Sequence, residues 1–210
     1  LKSAPGRRAA RALATRADVL VENFKAGALE RLGLGYEGLA RDNPGLVWCS
    51  ISGFGRGAGA ELPGYDFLVQ AMSGLMSITG PAGGEPTKVG VALVDVLTGL
   101  YAFGGVLAAL QERERTGRGQ RVEVSLLGSA LASLVNQASS YLCTGRPPRA
   151  MGNRHPSIAP YELLKLRLLN GSHSTLAYLG YLAGHETIAS TMADHRFAAL
   201  ARQVMHEAAP

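Results

Sequence analysis

The stretch Val89-Gly-Val-Ala-Leu-Val-Asp95-Val-Leu-Thr-Gly-Leu-Tyr-Ala-Phe-Gly-Gly-Val-Leu-Ala-Ala-Leu110 decides how this chain is read. It is almost wholly apolar and carries one acid, Asp95. Its first part is rich in β-formers (Val89, Val91, Leu93, Val94) and predicts a strand that ends at the acid. Its second part is small and apolar and predicts a helix that begins directly afterwards. Asp is a favoured N-cap, because its carboxylate accepts from the first free amides of a helix. Those amides and the helix macrodipole favour the ionised form. The expectation is a carboxylate kept charged in apolar surroundings, with room beside it at Gly99, Gly104 and Gly105. Three uses of Asp95 compete: a structural cap, an acid inside a membrane span, and a nucleophilic or proton-transferring carboxylate. Val91 to Leu110 is about long enough to cross a bilayer. Its glycines and its strand-like first part argue against that use.

Composition narrows the field. The chain has 210 residues, 47% hydrophobic and 18% charged, a globular rather than a disordered balance. That length suffices for one good core, or for a core and part of a second domain. The net charge is +5, with basic residues gathered at 2–16, 113–121 and 146–154. No nucleic-acid motif and little aromatic interleaving accompany them, so a phosphorylated small ligand is the more economical partner. Cys49 and Cys143 match no metal or redox spacing and read as small hydrophobes in a reduced compartment. The expected location is the cytoplasm. The acid-poor, Arg-rich opening also has the look of a mitochondrial transit peptide. An amphipathic helix with Ala9, Leu13 and Ala17 facing inward is preferred, since it runs straight into a strand.

Helix and strand alternate along the chain. Helix 6–15 leads to strand 18–22, a turn and short helix after Asn23-Phe24, and helix 36–41, stopped by Asp42-Asn43-Pro44-Gly45. Leu46–Ile51 is an apolar strand with both faces buried. This order predicts a parallel α/β sheet. The loop Ser52-Gly-Phe-Gly-Arg-Gly-Ala-Gly59 fits the dinucleotide fingerprint only loosely, because Pro63-Gly64 follows where a helix should. It reads equally as a connector or as a mobile functional loop. Helix 65–78 presents Phe67, Leu68, Ala71, Met72, Leu75 and Met76 to the core. The long helix after Asp95 ends in a charged turn before Thr116-Gly117. Strand 121–124 and one long helix, 126–143, follow. Gly145–Arg149 is a linker, and residues 162–210 are poorly patterned. His173, His185 and His195 have no metal spacing.

The motifs Ala17-Asp-Val-Leu-Val-Glu-Asn-Phe24, Arg31-Leu-Gly-Leu-Gly-Tyr36, Asn43-Pro-Gly-Leu-Val47, Ser50-Ile-Ser-Gly-Phe-Gly55, Pro63-Gly-Tyr-Asp66, Ser73-Gly-Leu-Met76, Val94-Asp95, Thr116-Gly-Arg-Gly-Gln120 and Gly152-Asn-Arg-His-Pro156 occur in this order. Each is weak alone. Together, over residues 5–161, they resemble the class III CoA-transferases, the family of formyl-CoA transferase and the carnitine CoA-transferases. The resemblance implies an α/β fold. Residues 1–145 would be the central part of a Rossmann-like, parallel-sheet large domain, 146–161 a linker and 162–210 an atypical start of a small domain.

The family resemblance also implies a chemistry. Members use one aspartate as nucleophile, and Asp95 matches it. Acyl-CoA and a small carboxylic acid would be the substrates, CoA passing through aspartyl anhydrides and an aspartyl-CoA thioester. No tightly bound cofactor, metal, nucleic acid or membrane is implied. Asn23 and Phe24 match contacts to the pantetheine and adenosine of CoA. Arg31 matches a basic residue near the CoA phosphates, although its plain reading is a solvated helix end. Tyr65 matches a tyrosine near the active site. The related α-methylacyl-CoA racemases carry His there as a base, and a phenol replaces it poorly. The motifs around Tyr65–Gly80 look closest to members acting on dicarboxylates such as succinate. Family members are interlocked homodimers nearly twice this length, with a strand–helix unit before, and a returning segment after, the part matched here. A racemase-like enzyme or a non-catalytic remnant is the alternative.

Overall fold

The computed structural model describes residues 1–156 and 172–208. The chain divides into two compact units. One comprises residues 1–80 and 84–150, the other 81–83 and 151–210.

The first unit is α/β and is built on three parallel strands, β1 (Val19–Glu22), β2 (Val47–Ser52) and β3 (Arg121–Ser125), in the order β1-β2-β3. Val19 pairs with Val47, and Trp48 with Arg121. β2 is the middle strand, and Val47, Trp48 and Cys49 are fully buried, as its unbroken apolar run requires. Helices α1 (Ala4–Ala14), α2 (Ala28–Arg31) and α3 (Tyr36–Asp42), with Leu34 of the connection between the last two, supply one core cluster: Ala14, Leu29, Leu34 and Leu39 against Leu46 and Trp48. Ile51, of opposite parity on β2, packs against a second cluster of Val69, Val94, Leu126 and Ala130. That cluster comes from α4 (Asp66–Met72), α6 (Leu93–Thr116) and α7 (Leu126–Ser133).

Several expectations are corrected. α1 is rotated from the predicted face: Ala10, Ala14 and Ala17 pack inward, while Leu13 is 73% exposed and Ala9 is also exposed. The predicted helix 65–78 breaks into α4 and α5 (Leu75–Ile78) at Gly74, whose φ of +84° suits glycine alone. α4 buries Val69 and Gln70, with Ser73 buried just after it, whereas Phe67, Ala71 and Met72 are exposed. The predicted helix 126–143 is likewise two helices, α7 and α8 (Val135–Thr144), meeting at Val135 with φ +41°. Residues 89–92 form no strand. The long helix begins at Leu93, two residues before Asp95. Both thiols are free, Cys49 buried and Cys143 exposed, so only the first behaves as a core hydrophobe.

α6 is the spine of this unit and packs on β2, β3, α4 and α7. By length and composition alone it is long and apolar enough to cross a membrane, a test that core helices of globular proteins also pass. One face lies close on the sheet because Gly105 sits where a Cβ would be 2.7 Å from Val122. On the other, Val96, Leu100, Phe103 and Leu107 are exposed. Its C-terminal half is tied down by Arg113, which donates to the Gly45 carbonyl and pairs with Asp18 at 3.1 Å each. Pairing also absorbs other basic residues: Arg11 with Asp42, Arg121 with Glu123, and Arg56 with Glu30 and Glu123.

In the second unit, α9 (Ser172–Leu182), α10 (Ile188–Ala193) and α11 (His195–Ala208) pack on one another. A capping box between Thr187 and Ser190 starts α10. His185 packs edge-on against Phe197, and Arg196 holds the Asp194 carboxyl well below the usual carboxylate range. The predicted run Leu163–Leu169 lies outside the described residues.

The entry to β3 depends on Gly119. Its amide donates to the Pro44 carbonyl at 2.8 Å, and a Cβ there would lie 2.0 Å from the Leu46 carbonyl oxygen. Gly119→Ala must therefore push β3 away from β2. Urea unfolding should show a loss of about 1–3 kcal/mol, the usual range for overpacking.

Candidate active site

A cleft of about 650 Å³ opens at the carboxyl ends of the three strands. Asn23–Ala26 follow β1, Ile51–Gly53 close β2 and Leu126 follows β3; all line it. Ligands of open α/β sheets bind at this end, where the connecting loops diverge. Leu62–Tyr65 and the Asp95, Thr98 and Gly99 face of α6 complete the walls.

Local interactions shape each wall. Glu22, the last residue of β1, accepts from the Phe24 amide at 2.9 Å and from the Ser50 hydroxyl. This turns Asn23 and Phe24 into the cleft. The glycine-rich loop closes on itself because Gly53 and Gly64 touch backbone to backbone: a Cβ on Gly64 would lie 2.3 Å from the Gly53 Cα. Gly53 also accepts from the Leu127 amide at 3.0 Å, fastening the loop to α7. Ser125 caps α7, its hydroxyl accepting from the Gly128 amide.

Asn23, Phe24, Tyr65 and Asp95, drawn from three distant stretches of sequence, thus meet in one cleft. Arg31 is not among its lining residues. It lies exposed at the end of α2, with its guanidinium against Gly27.

Asp95 differs from expectation in two respects. It is not the N-cap. Ala92 holds that place with no side-chain bond, and Asp95 is the third residue of the helix. The helix is capped from outside: Asp66 Oδ1 accepts from the Val94 amide at 2.7 Å and from the Asp95 amide at 3.3 Å. Nor is its charge favoured. Partial burial, and then the charge of Asp66, push the Asp95 carboxyl above its ordinary value of 3.8. The capping expectation failed because it assigned the helix's amides to the nearest acid in sequence. Asp66 itself reads as a first-turn acid of its own helix, and Gln70 as an ordinary helix residue. The signal for both was the absence of a capping side chain at 91–93. Lys25 and Thr98 are further cleft residues that carried no sequence signal.

The sequence profile of CoA-transferase family III matches residues 1–168. The chain belongs to this family. Among its relatives is a succinate–glutarate CoA-transferase of Agrobacterium fabrum, 43% identical over 213 residues, covering 99% of this chain and 52% of that protein. A succinyl-CoA:glutarate CoA-transferase of Mus musculus is 42% identical over 168 residues, covering 80% of this chain and 38% of that protein. Among solved structures, a CAIB/BAIF family protein from Brucella suis superposes with a TM-score of 0.72 at 41% identity. It covers 98% of this chain and 58% of that one. The chain spans about half the length of the curated relatives it matches. A second profile, the mannitol dehydrogenase C-terminal domain, matches residues 157–210. The Agrobacterium relative and the Brucella structure extend through those same residues.

For a class III CoA-transferase chain, the raised Asp95 pKa has a consequence for stability. An acid whose folded pKa is raised is disfavoured in its ionised form by folding. That loss is absent below 3.8 and grows as pH rises through the folded pKa. Asp95→Asn is therefore expected to melt above wild type at about pH 7, with the gap closing by about pH 3. Thermal melts across this range decide it, and a gap that widens on acidification would contradict the raised pKa.

Proposed function

We propose that this chain carries the nucleophile and part of the CoA site of an enzyme that moves CoA from an acyl-CoA to a free carboxylic acid. The observation that carries the reading is the meeting of Asp95 with Asn23, Phe24 and Tyr65 at the carboxyl ends of the strands. The racemase reading lacks a histidine at the position that Tyr65 holds in the cleft.

In the proposed course, an Asp95 carboxylate oxygen attacks the thioester carbonyl. The C–S bond breaks, leaving an aspartyl–acyl anhydride and CoA thiolate. The thiolate attacks the aspartyl carbonyl, releasing the first acid and forming an aspartyl-CoA thioester. The incoming carboxylate displaces the thiolate again, and the thiolate then takes the new acyl group and frees Asp95. No net proton moves. Covalent catalysis of this kind divides one hard exchange into easier steps.

The cleft suits such a course. Phe24, Ile51, Leu62, Pro63 and Leu126 supply apolar lining, and water is the reagent that would destroy both intermediates. Gly99, one turn beyond Asp95, leaves open space for the acyl group, since a Cβ there meets nothing within 4 Å. Among the described lining residues Lys25 alone is cationic, which favours an anionic ligand. Asn23 and Phe24 are proposed to hold the pantetheine and adenosine arm. Arg31, exposed on the helix that follows them, is proposed for the phosphates. The relatives named for succinate, glutarate and mesaconate support a dicarboxylate as donor or acceptor. The reading includes the cytoplasm as location and the interlocked homodimer as assembly.

Incubation of the purified protein with succinyl-CoA, quenching with hydroxylamine and peptide mapping should place a hydroxamate on Asp95. Asp95→Ala and Asp95→Asn should yield no adduct and lose transfer to background. An Asp95→Ala protein that transfers CoA at the wild-type rate would sink the mechanism.

A further inference from the structure

We propose that Asp66 is the positioning residue of this site: held by Gln70, its carboxylate fixes the first turn of α6 and so sets where Asp95 presents its oxygens. The inference rests on the reading of Asp95 as nucleophile.

A helix begins with free amides that need acceptors. Ala92 gives α6 none. Asp66 reaches across from α4 and takes two of them, Val94 at 2.7 Å and Asp95 at 3.3 Å, through one oxygen. Its other oxygen accepts from Gln70 Nε2 at 2.6 Å. Gln70 is fully buried, and its own oxygen accepts from the Val89 amide at 2.8 Å, while Nε2 also reaches the Val91 carbonyl at 3.5 Å. The segment leading to Asp95 is therefore held at residues 89, 91, 94 and 95 by two side chains one turn apart on α4. A buried amide with every contact oriented holds its partners to one geometry.

Asp66 does not line the cleft, but its neighbour Tyr65 does. One latch between the starts of α4 and α6 thus places both Tyr65 and Asp95. Charge acts through the same contact. Among the described residues, Tyr65 and Lys25 are the titratable groups that line the cleft with Asp95, and Asp66 of α4 accepts from the Asp95 amide. Asp66 is the one whose charge opposes ionisation of Asp95. Replacing that charge must ease ionisation and move the acid limb of the rate profile to lower pH.

The test compares Asp66→Ala, Asp66→Asn and Asp95→Asn with wild type, using amide exchange by NMR and transfer kinetics with succinyl-CoA. Asp66→Ala should speed exchange at Val94 and Asp95 about tenfold or more, as loss of a charge-assisted bond does, and leave the β2 amides unchanged. Its kcat should fall by a similar factor with KM for acyl-CoA nearly constant. Asp66→Asn keeps a carbonyl acceptor for the two amides. Its NH2 replaces the oxygen that accepts from Gln70 Nε2, so it should lose less of their protection than Asp66→Ala does and shift the acid limb of kcat to lower pH, and it serves also if Asp66→Ala does not fold. Unchanged exchange at Val94 and Asp95 in Asp66→Ala, unchanged kcat despite faster exchange, or an unmoved acid limb in Asp66→Asn would each overturn the inference. A transfer-competent Asp95→Asn instead marks failure of the nucleophile reading, since the exchange measurement does not depend on it.

Discussion

The contact on which the rest of the first unit hangs is the Asp66 carboxylate closing on the amides of Val94 and Asp95. α6 runs from Leu93 to Thr116 and packs on two strands and two helices, so its placement fixes most of the second core cluster. Val94, the residue whose amide is capped, is fully buried in that cluster beside Val69 of α4. The cap and the apolar contact therefore join the same pair of helices at the same level. Thr98, one turn on, is buried and returns its hydroxyl to the Val94 carbonyl at 2.7 Å. The first two turns of α6 are in this way tied to α4 at one end and closed on themselves along the buried side, leaving Asp95 on the side that faces the cleft.

Position in the sheet explains why the cleft lies where it does. β2 and β3 end level, Ser52 opposite Ser125, and β1 ends two residues earlier, Glu22 opposite Ser50; each is followed by a residue that turns the chain away: Asn23 after Glu22, Gly53 after Ser52 and Leu126 after Ser125. The space left between diverging loops is lined partly by backbone and small residues, because Gly53, Gly64 and Gly99 carry nothing to fill it. The Gly53–Gly64 contact draws Pro63 and Tyr65 back to the end of β2, so the loop contributes its two ends, with Ala60 and Leu62, to the cleft wall.

What the sequence made legible, and what it hid, follows from the range of the interactions involved. The parallel sheet was readable because Leu46–Ile51 is apolar without alternation, and the helices between the strands left no hairpin. The grouping of Asn23, Phe24, Tyr65 and Asp95 came through ordered motifs, not through periodicity. The strand expected at 89–94 was misread because Val89 and Val91 are β-formers with no ladder to join. Their backbone groups are taken by Gln70, a residue about twenty positions earlier. The split of 65–78 was signalled by Gly74 and overlooked because the apolar pattern continued through it. The inward face of α1 was misassigned by one residue, since Ala10 and Ala14 serve the core as well as Ala9 and Leu13 would. The role of Asp66 was out of reach of any local rule, because a cap supplied from another helix leaves no pattern at either end.

The failed expectation at Asp95 is also the most informative chemically. A carboxylate acting as N-cap spends its lone pairs on amides, and an acid so stabilised is a weak base and a weak nucleophile. At this site the amides are spent on Asp66 instead. Among the described residues no group donates a hydrogen bond to the Asp95 carboxylate, which keeps its oxygens free and facing the cleft. Although the side chain is exposed to the cleft, partial desolvation and then the neighbouring charge raise its pKa rather than lower it. The second acid thus does two opposed things: it supplies the order that the helix start needs, and it denies Asp95 the stabilisation that the same helix start would have given. For the proposed attack on a thioester this division is useful, since the residue that is well solvated by amides and the residue that must react are different side chains held by the same turn of helix.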